Sequence, residues 1–492
     1  MHLYQKLLFI AVFVQASWAN KAKIGVFVSD ENEQQLNFAY NLALALLSDN
    51  EVVIVKTQFG KSMVSPPEGI REIVFPVGDG LKNGLEDGCG AIFNNSKSIA
   101  AVDNEKFDYA VSTTDNFCSF VIFQKVGITK YAWASSTGLT DAMALAHGIP
   151  LASISSEPPT LPKLTYFERA KHLKASVLNR LQTSRLFSQT TLLAQNSFGP
   201  NFPDVLSLAR KSQLLLINDF EAFAYPAPLP SSVIHIGGLK SLKELPLDEP
   251  IAQFSHLNVQ MPGGKVRPLI IVALKSKLSK QEANDFVDFI RKNGHADFMW
   301  EVDDHSIDTY LPRNLFKKKE LPIAKLLAHS RTTSFISECS WDAVQLAITT
   351  ASPVICITET EEQLKNAKLV EFRGVGLTLK KDAVTVDGLT AVLGKILENK
   401  DYASTAKTLQ KRIQERPFKS EDLLTKWIQY ALHNDIDLAV PAVKFVEYYN
   451  LDIIVPIGFL VLVVTSVLLK FVLGLYYWSC CGMAFREKVK LQ

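Results

Sequence analysis

Apolar and polar positions alternate between two periods along this chain. Residues 21–29 (KAKIGVFVS) form a short apolar run with strand character, 37–47 space their apolar side chains as a helix does, and 52–56 return to a strand. Such a β-α-β opening starts a parallel sheet. Residues 107–112 predict a further strand, 117–125 a helix, 153–210 a mostly helical stretch, and 214–218 and 233–236 two short strands. From 246 to 268 the periodicity fades among prolines and the Gly263-Gly264 pair, as in a linker. The alternation then restarts, with strands at 269–273, 297–302, 333–337 and 354–357 and helices at 280–292, 323–329 and from Trp341. Helices over 385–433 follow. The pattern predicts an α/β chain of two Rossmann-like domains, 20–245 and 268–440, joined by a linker at 246–267 and facing a cleft.

Both ends carry apolar runs of a different kind. Residues 1–19 combine Lys6, an apolar stretch and the small-x-small site Ser17-Trp18-Ala19, which reads as a cleaved secretory signal. A second run, 453–476, has the length of a bilayer span, and Tyr448-Tyr449 and Tyr476-Tyr477-Trp478 flank it as interfacial aromatics do. Residues 441–452 form the approach to this span. The tail 477–492 contains Arg486, Lys488 and Lys490, so the positive-inside bias predicts a cytosolic tail and a lumenal bulk. Lys488 and Lys490 also fit the Lys-x-Lys-x-x retrieval signal of the endoplasmic reticulum, an address read by a receptor. The expected location is the membrane of that compartment, in single-pass type I orientation.

A formal charge of +2 over 492 residues gives no reason to expect nucleic acid. Four cysteines (Cys89, Cys118, Cys339, Cys356) precede the span, too few for a disulfide scaffold and not spaced as a zinc site. Asn94, with Ser96 two places on, is a glycosylation sequon in a polar stretch. Residues 78–90 are glycine-rich but acidic and read as a surface loop. Gly374-Val375-Gly376 reads as a helix-to-strand turn, and Asp435-Ile436-Asp437 as a solvated linker. His305 and His329 read as surface or helix residues.

The stretch 321–376 carries the most specific pattern. Leu321-Pro322, Leu326-Leu327-Ala328-His329, Phe335-Ile336, Pro353, Gln363, Asn366-Ala367 and Arg373-Gly374-Val375-Gly376 resemble the nucleotide-sugar signature of the UDP-glucuronosyltransferases. The resemblance extends through Phe107-Asp108, Phe117-Cys118, Tyr166-Phe167-Glu168-Arg169 and Ile236-Gly237-Gly238 to Val440-Pro441-Ala442, with an invertebrate-type member as the nearest kind. It implies a GT-B fold and transfer of a sugar from a UDP-sugar co-substrate to small lipophilic acceptors, without a metal or other cofactor.

The same resemblance marks where the chemistry departs. The family's catalytic His falls at Gln35 and its acidic partner at Thr113. Gln takes up no proton near neutral pH, and Thr offers no charge to balance an imidazolium. A shift in the loop alignment would offer Glu31 or Glu33 as the base and Asp115 as its partner. In the donor cradle, the uracil-stacking Trp of a Trp-Leu-Pro-Gln run becomes Glu320, and its Gln becomes Ile323. His-Gly-Gly before the next helix becomes Glu338-Cys339-Ser340; Asp342 follows, and Ala343 replaces a Ser. Glu338 would stand where a helix N-terminus normally receives diphosphate, and a phosphate charge ~5 Å away would meet roughly 3 kcal/mol of repulsion. The acidic-Gln pair for the sugar hydroxyls survives as Glu362-Gln363. These changes predict a transferase scaffold with weak or lost catalysis, a partner in homo- or hetero-oligomers with active relatives or a binder of lipophilic small molecules. The rival expectation is an active transferase with altered donor preference and a relocated base.

Overall fold

The computed structural model describes residues 21–59, 65–77, 84–113, 117–149, 165–239, 246–256, 266–274, 279–302, 311–436, 445–448 and 450–489. Residues 1–19, Asp115, His305 and Lys490 lie outside that set.

The first sheet contains β1 (Lys23–Ser29), β2 (Glu51–Phe59), β3 (Arg71–Val77), β4 (Tyr109–Ser112), β5 (Tyr131–Ser135), β6 (Leu214–Ile217) and β7 (Val233–His235). All pair in parallel, in the order β3-β2-β1-β4-β5-β6-β7. Central strands covered on both faces need apolar side chains in both directions, and β1 buries six consecutive residues from Ile24. One face packs Phe117, Phe120, Phe123 and Trp133; the other packs helix α1 (Glu33–Leu47) through Leu36, Tyr40 and Ala43. Asn32 caps α1 by accepting from the Gln34 N–H. The strand order reverses between β1 and β4, which opens a crevice at their carboxyl ends.

A second parallel sheet runs β10-β9-β8-β11-β12-β13, from β8 (Leu269–Ala273), β9 (Asp297–Glu301), β10 (Leu315–Lys318), β11 (Thr332–Ser337), β12 (Val354–Thr358) and β13 (Gly376–Lys380). Its reversal lies between β8 and β11. Apolar layers cover both faces here too.

Four features differ from the sequence expectations. Part of the presumed loop at 78–90 is helical: α2 runs Gly84–Asn94, is followed by α3 (Ser96–Glu105), and buries Cys89. Exposed Asn94 therefore ends a helix. The linker contains a helix (Glu249–Ser255) whose Ile251 joins the second core, and the Ser255 carbonyl accepts from Arg331 at 2.9 Å. The four cysteines pair as Cys89–Cys118 and Cys339–Cys356, with Cα atoms 5.5 and 5.2 Å apart. Finally, the helix Ser420–His433, expected with the second domain, lays Leu424, Ile428 and Ala431 on the first sheet's core.

Residues from Val440 onward form a separate unit. It contains the 39-residue helix Leu451–Val489, whose stretch Leu451–Tyr476 is long and apolar enough to cross a membrane. Lys488 lies near the end of that helix.

Candidate functional site

The carboxyl edge of the first sheet brings Gln35 and Thr113 together. Gln35 sits in the first turn of α1 and is only 7% exposed. Its Nε2 donates to the main-chain carbonyl of Thr113, the residue after β4. Thr113 Oγ1 in turn donates to the Phe27 carbonyl of β1 at 2.8 Å. Both side chains are thus engaged in closing the β1/β4 crevice, and neither is a base or an acid near neutral pH. Exposed Glu31 stands in the loop ahead of α1, where partial burial and the Asp30 charge hold its carboxyl above the usual range. Glu33 is exposed in the first helical turn.

The carboxyl edge of the second sheet presents carboxylates. β9 ends in Glu301; Glu320, Glu338 and Glu359 follow within two residues of the ends of β10, β11 and β12. Ligands of open α/β sheets lie along this edge, so an incoming diphosphate would meet these acids, of which Glu359 is paired with Lys381 at 2.8 Å. Glu301 Oε2 accepts from the Leu321 N–H at 3.1 Å and holds the start of the helix Ile323–Leu327. Ile323 packs into the core, whereas Glu320 is exposed beside it.

The turn between β11 and the helix Trp341–Thr349 is closed by its own residues. Cys339 has φ +57°, a conformation natural to glycine, and is held there by Ser337 Oγ on its N–H (3.1 Å), Asn366 Nδ2 on its carbonyl (3.0 Å) and the bond to Cys356. Ser340 occupies the N-cap without a side-chain capping bond. Trp341, the first helical residue, is buried, and its Nε1 donates to the Asn218 carbonyl just past β6. Gln345, one turn on, donates to the same carbonyl at 2.6 Å. Asp342 is exposed, and Ala343 packs against the core. Gln363 serves its own helix: Oε1 accepts from the Glu359 and Thr360 N–H groups at 2.8 and 3.0 Å, and Nε2 lies 3.5 Å from Glu338. Glu362 is exposed beside it.

Sequence reasoning missed this bridge between the two sheets. Arg373 adds to it by donating to the Phe223 carbonyl at 2.6 Å, as does Arg416 by donating to that of His235 at 2.8 Å. The one available signal was a Trp at the start of a helix, next to positions where the family has small residues. An open cavity of about 1130 Å³ lies at the opposite, amino end of β1 and β2, lined by Lys23, Glu51 and Lys130 among others, away from these residues.

A family model described as UDP-glucoronosyl and UDP-glucosyl transferase matches residues 21–491. A putative UDP-glucuronosyltransferase of Caenorhabditis elegans, ugt-46, is 24% identical over 435 residues, covering 83% of this chain and 78% of its own. Mouse UDP-glucuronosyltransferase 1A1 is also 24% identical, over 413 residues, with 81% and 73% covered. Among solved structures, a UDP-glucosyltransferase of Polygonum tinctorium superposes with a TM-score of 0.61 at 13% identity, covering 85% of this chain and 100% of that one. Phytolacca americana UGT2 gives 0.59 at 15% identity, with 84% and 99% covered.

Proposed function

The chain belongs to the UDP-glucoronosyl and UDP-glucosyl transferase family and has its GT-B fold, and from that premise we propose that it is a membrane-anchored member of the endoplasmic reticulum in which ordinary sugar transfer is weak or lost. The observation that carries this reading is the ring of Glu301, Glu320, Glu338 and Glu359 along the edge where a UDP-sugar would lie. It repels the diphosphate, while Gln35 and Thr113 supply no proton acceptor. Such a scaffold serves as a partner of active transferases or retains a lipophilic molecule in its first domain. The anchor is the apolar stretch Leu451–Tyr476.

A donor that bound the folded protein would raise its melting temperature. We expect no rise for the full chain in detergent with UDP, UDP-glucose or UDP-glucuronate at about millimolar concentration, where a site with Kd near 10 µM would contribute roughly 2.7 kcal/mol. A clear rise with any of them would sink the proposal. It would favour the second reading, for which the raised carboxyl of Glu31 speaks: a transferase with a relocated base. In that case transfer would be seen and would be lost in Glu31→Gln.

A further inference from the structure

Asp219 and His235 form a largely buried carboxylate–imidazole pair at the last two strands of the first sheet. Asp219 follows the end of β6, and its Oδ1 meets the Nδ1 of His235, the last residue of β7. β5 separates these strands from β4, so the pair has no part in the crevice between β1 and β4. Its neighbours give it a different role. The carbonyl of Asn218, just before Asp219, accepts from Trp341 Nε1 and from Gln345 Nε2 of the second domain. Phe220, just after Asp219, packs into the second domain's core. The Asp219 carbonyl accepts from the Gly237 N–H at 2.9 Å, and a Cβ at Gly237 would stand 2.4 Å from that oxygen. On the other side of the pair, the His235 carbonyl accepts from Arg416 at 2.8 Å, and the Gly237 carbonyl accepts from Ser420. The chain leaves the first domain after β7 and returns to it with the helix Ser420–His433. Contacts of both crossings are therefore made by residues that adjoin one titratable pair.

Burial makes the proton of this pair matter, because a carboxylate withdrawn from water needs a protonated partner. Burial alone would lower the His235 imidazole, but its bond to Asp219 and that residue's charge outweigh it and hold it above the ordinary value. Burial also holds the Asp219 carboxyl above the usual carboxylate range, and His235 offsets this only in part. Among the described residues two other charged groups face the pair: Glu221, beyond β6, and Arg416, ahead of the helix Ser420–His433. They pair with each other at 3.1 Å and so add little net charge. Both shifts mean that the folded protein keeps a proton that the unfolded chain has released. The imidazole's stabilisation is complete below its ordinary value, near 6.5, and is lost as pH rises through the raised folded value.

We propose that Asp219 and His235 form a proton-operated latch on the junction of the two domains, closed while the pair holds its proton and loosened when the proton leaves. Hydrogen exchange of the full chain in detergent, corrected for the intrinsic pH dependence of amide exchange, tests it. Two sets of amides report on the latch: Ile236 and Gly237, which donate to the Ile217 and Asp219 carbonyls, and residues 344–348 in the helix that carries Trp341. From about pH 6 to about pH 9 both sets should lose protection about tenfold, while β8, in the middle of the second sheet, changes little. Asp219→Asn removes the buried charge and keeps an acceptor for His235, and His235→Gln removes the titrating ring. Each should flatten the pH dependence at both sets. Parent amides equally protected across the range would overturn the proposal. An equal loss in β8 would mean global unfolding and would overturn it as well. So would a pH dependence that persists in either folded variant. The parent's profile alone decides where a variant does not fold, and none of these readouts depends on donor binding.

Discussion

The carboxyl edges of the two sheets make a controlled comparison, because the packing beneath them is equivalent while the groups on them differ. Both sheets are parallel, both reverse their strand order near the middle, and both are covered on each face by apolar layers. At the first edge the expected charges are replaced by neutral groups engaged with the backbone: Gln35 bonds the Thr113 carbonyl, and Thr113 bonds that of Phe27. At the second edge charge has been added, one glutamate near each of four strand ends. A scaffold whose stability comes from buried apolar layers tolerates either change, since the edge groups contribute little to the core. Fold and edge residues are therefore separable in this protein, and each edge departs from the residues expected of the family in its own way.

The strongest way to break the comparison is to attack the point where the edges meet. Trp341 is 3% exposed, packs near Phe223, and donates to Asn218 across the two sheets. Trp341→Ala should cost about 3–5 kcal/mol in urea unfolding, through the cavity and the lost bond. A loss below about 1 kcal/mol would mean that the bridge is incidental and that each domain is stable without it.

The alternation that fixes both sheets was legible because each buried strand is a short apolar run between turn residues. β8 and β12 fall within a residue of expectation. β3 was not read, because Pro76 breaks its pattern; the strand lies at the sheet edge, where a missing N–H is tolerated. Gly84–Asn94 was hidden by its glycines, whose low helix propensity is overridden by packing and by the Cys89–Cys118 bond. The amphipathic pattern of Ser420–His433 gives a helix but cannot say which sheet it covers, and neither the cysteine pairing nor the Trp341 bridge is a local property. At the candidate site, the resemblance located Gln35 and Thr113, and the structure supplies their mutual bond.

A smaller change sharpens the second edge. Glu338→Gln removes one of the four carboxylates. At ~5 Å and an effective dielectric near 20 the relief is roughly 3 kcal/mol, and solvent screening around a half-exposed group cuts this to a gain in UDP affinity of about tenfold. Titration calorimetry of the variant against the parent measures it. An unchanged absence of binding would move the obstacle from charge to the filled space around Trp341.

A change of pH separates the domains. His147 is buried in the first domain, and its surroundings, chiefly burial with the Arg210 charge added, push its imidazole down to about 4. Folded His147 stays neutral where the unfolded chain, with an ordinary value near 6.5, already takes up a proton. The unfolded state therefore binds more protons between these two values, so the stabilisation is complete above about pH 6.5 and is lost as pH falls towards 4. Between pH 7 and pH 5 the loss amounts to about 2 kcal/mol. Urea unfolding at both pH values, in the parent and in His147→Gln, isolates the contribution. The variant should be less sensitive to acid by that amount if His147 is responsible. Equal acid sensitivity in both proteins would place the titrating group elsewhere.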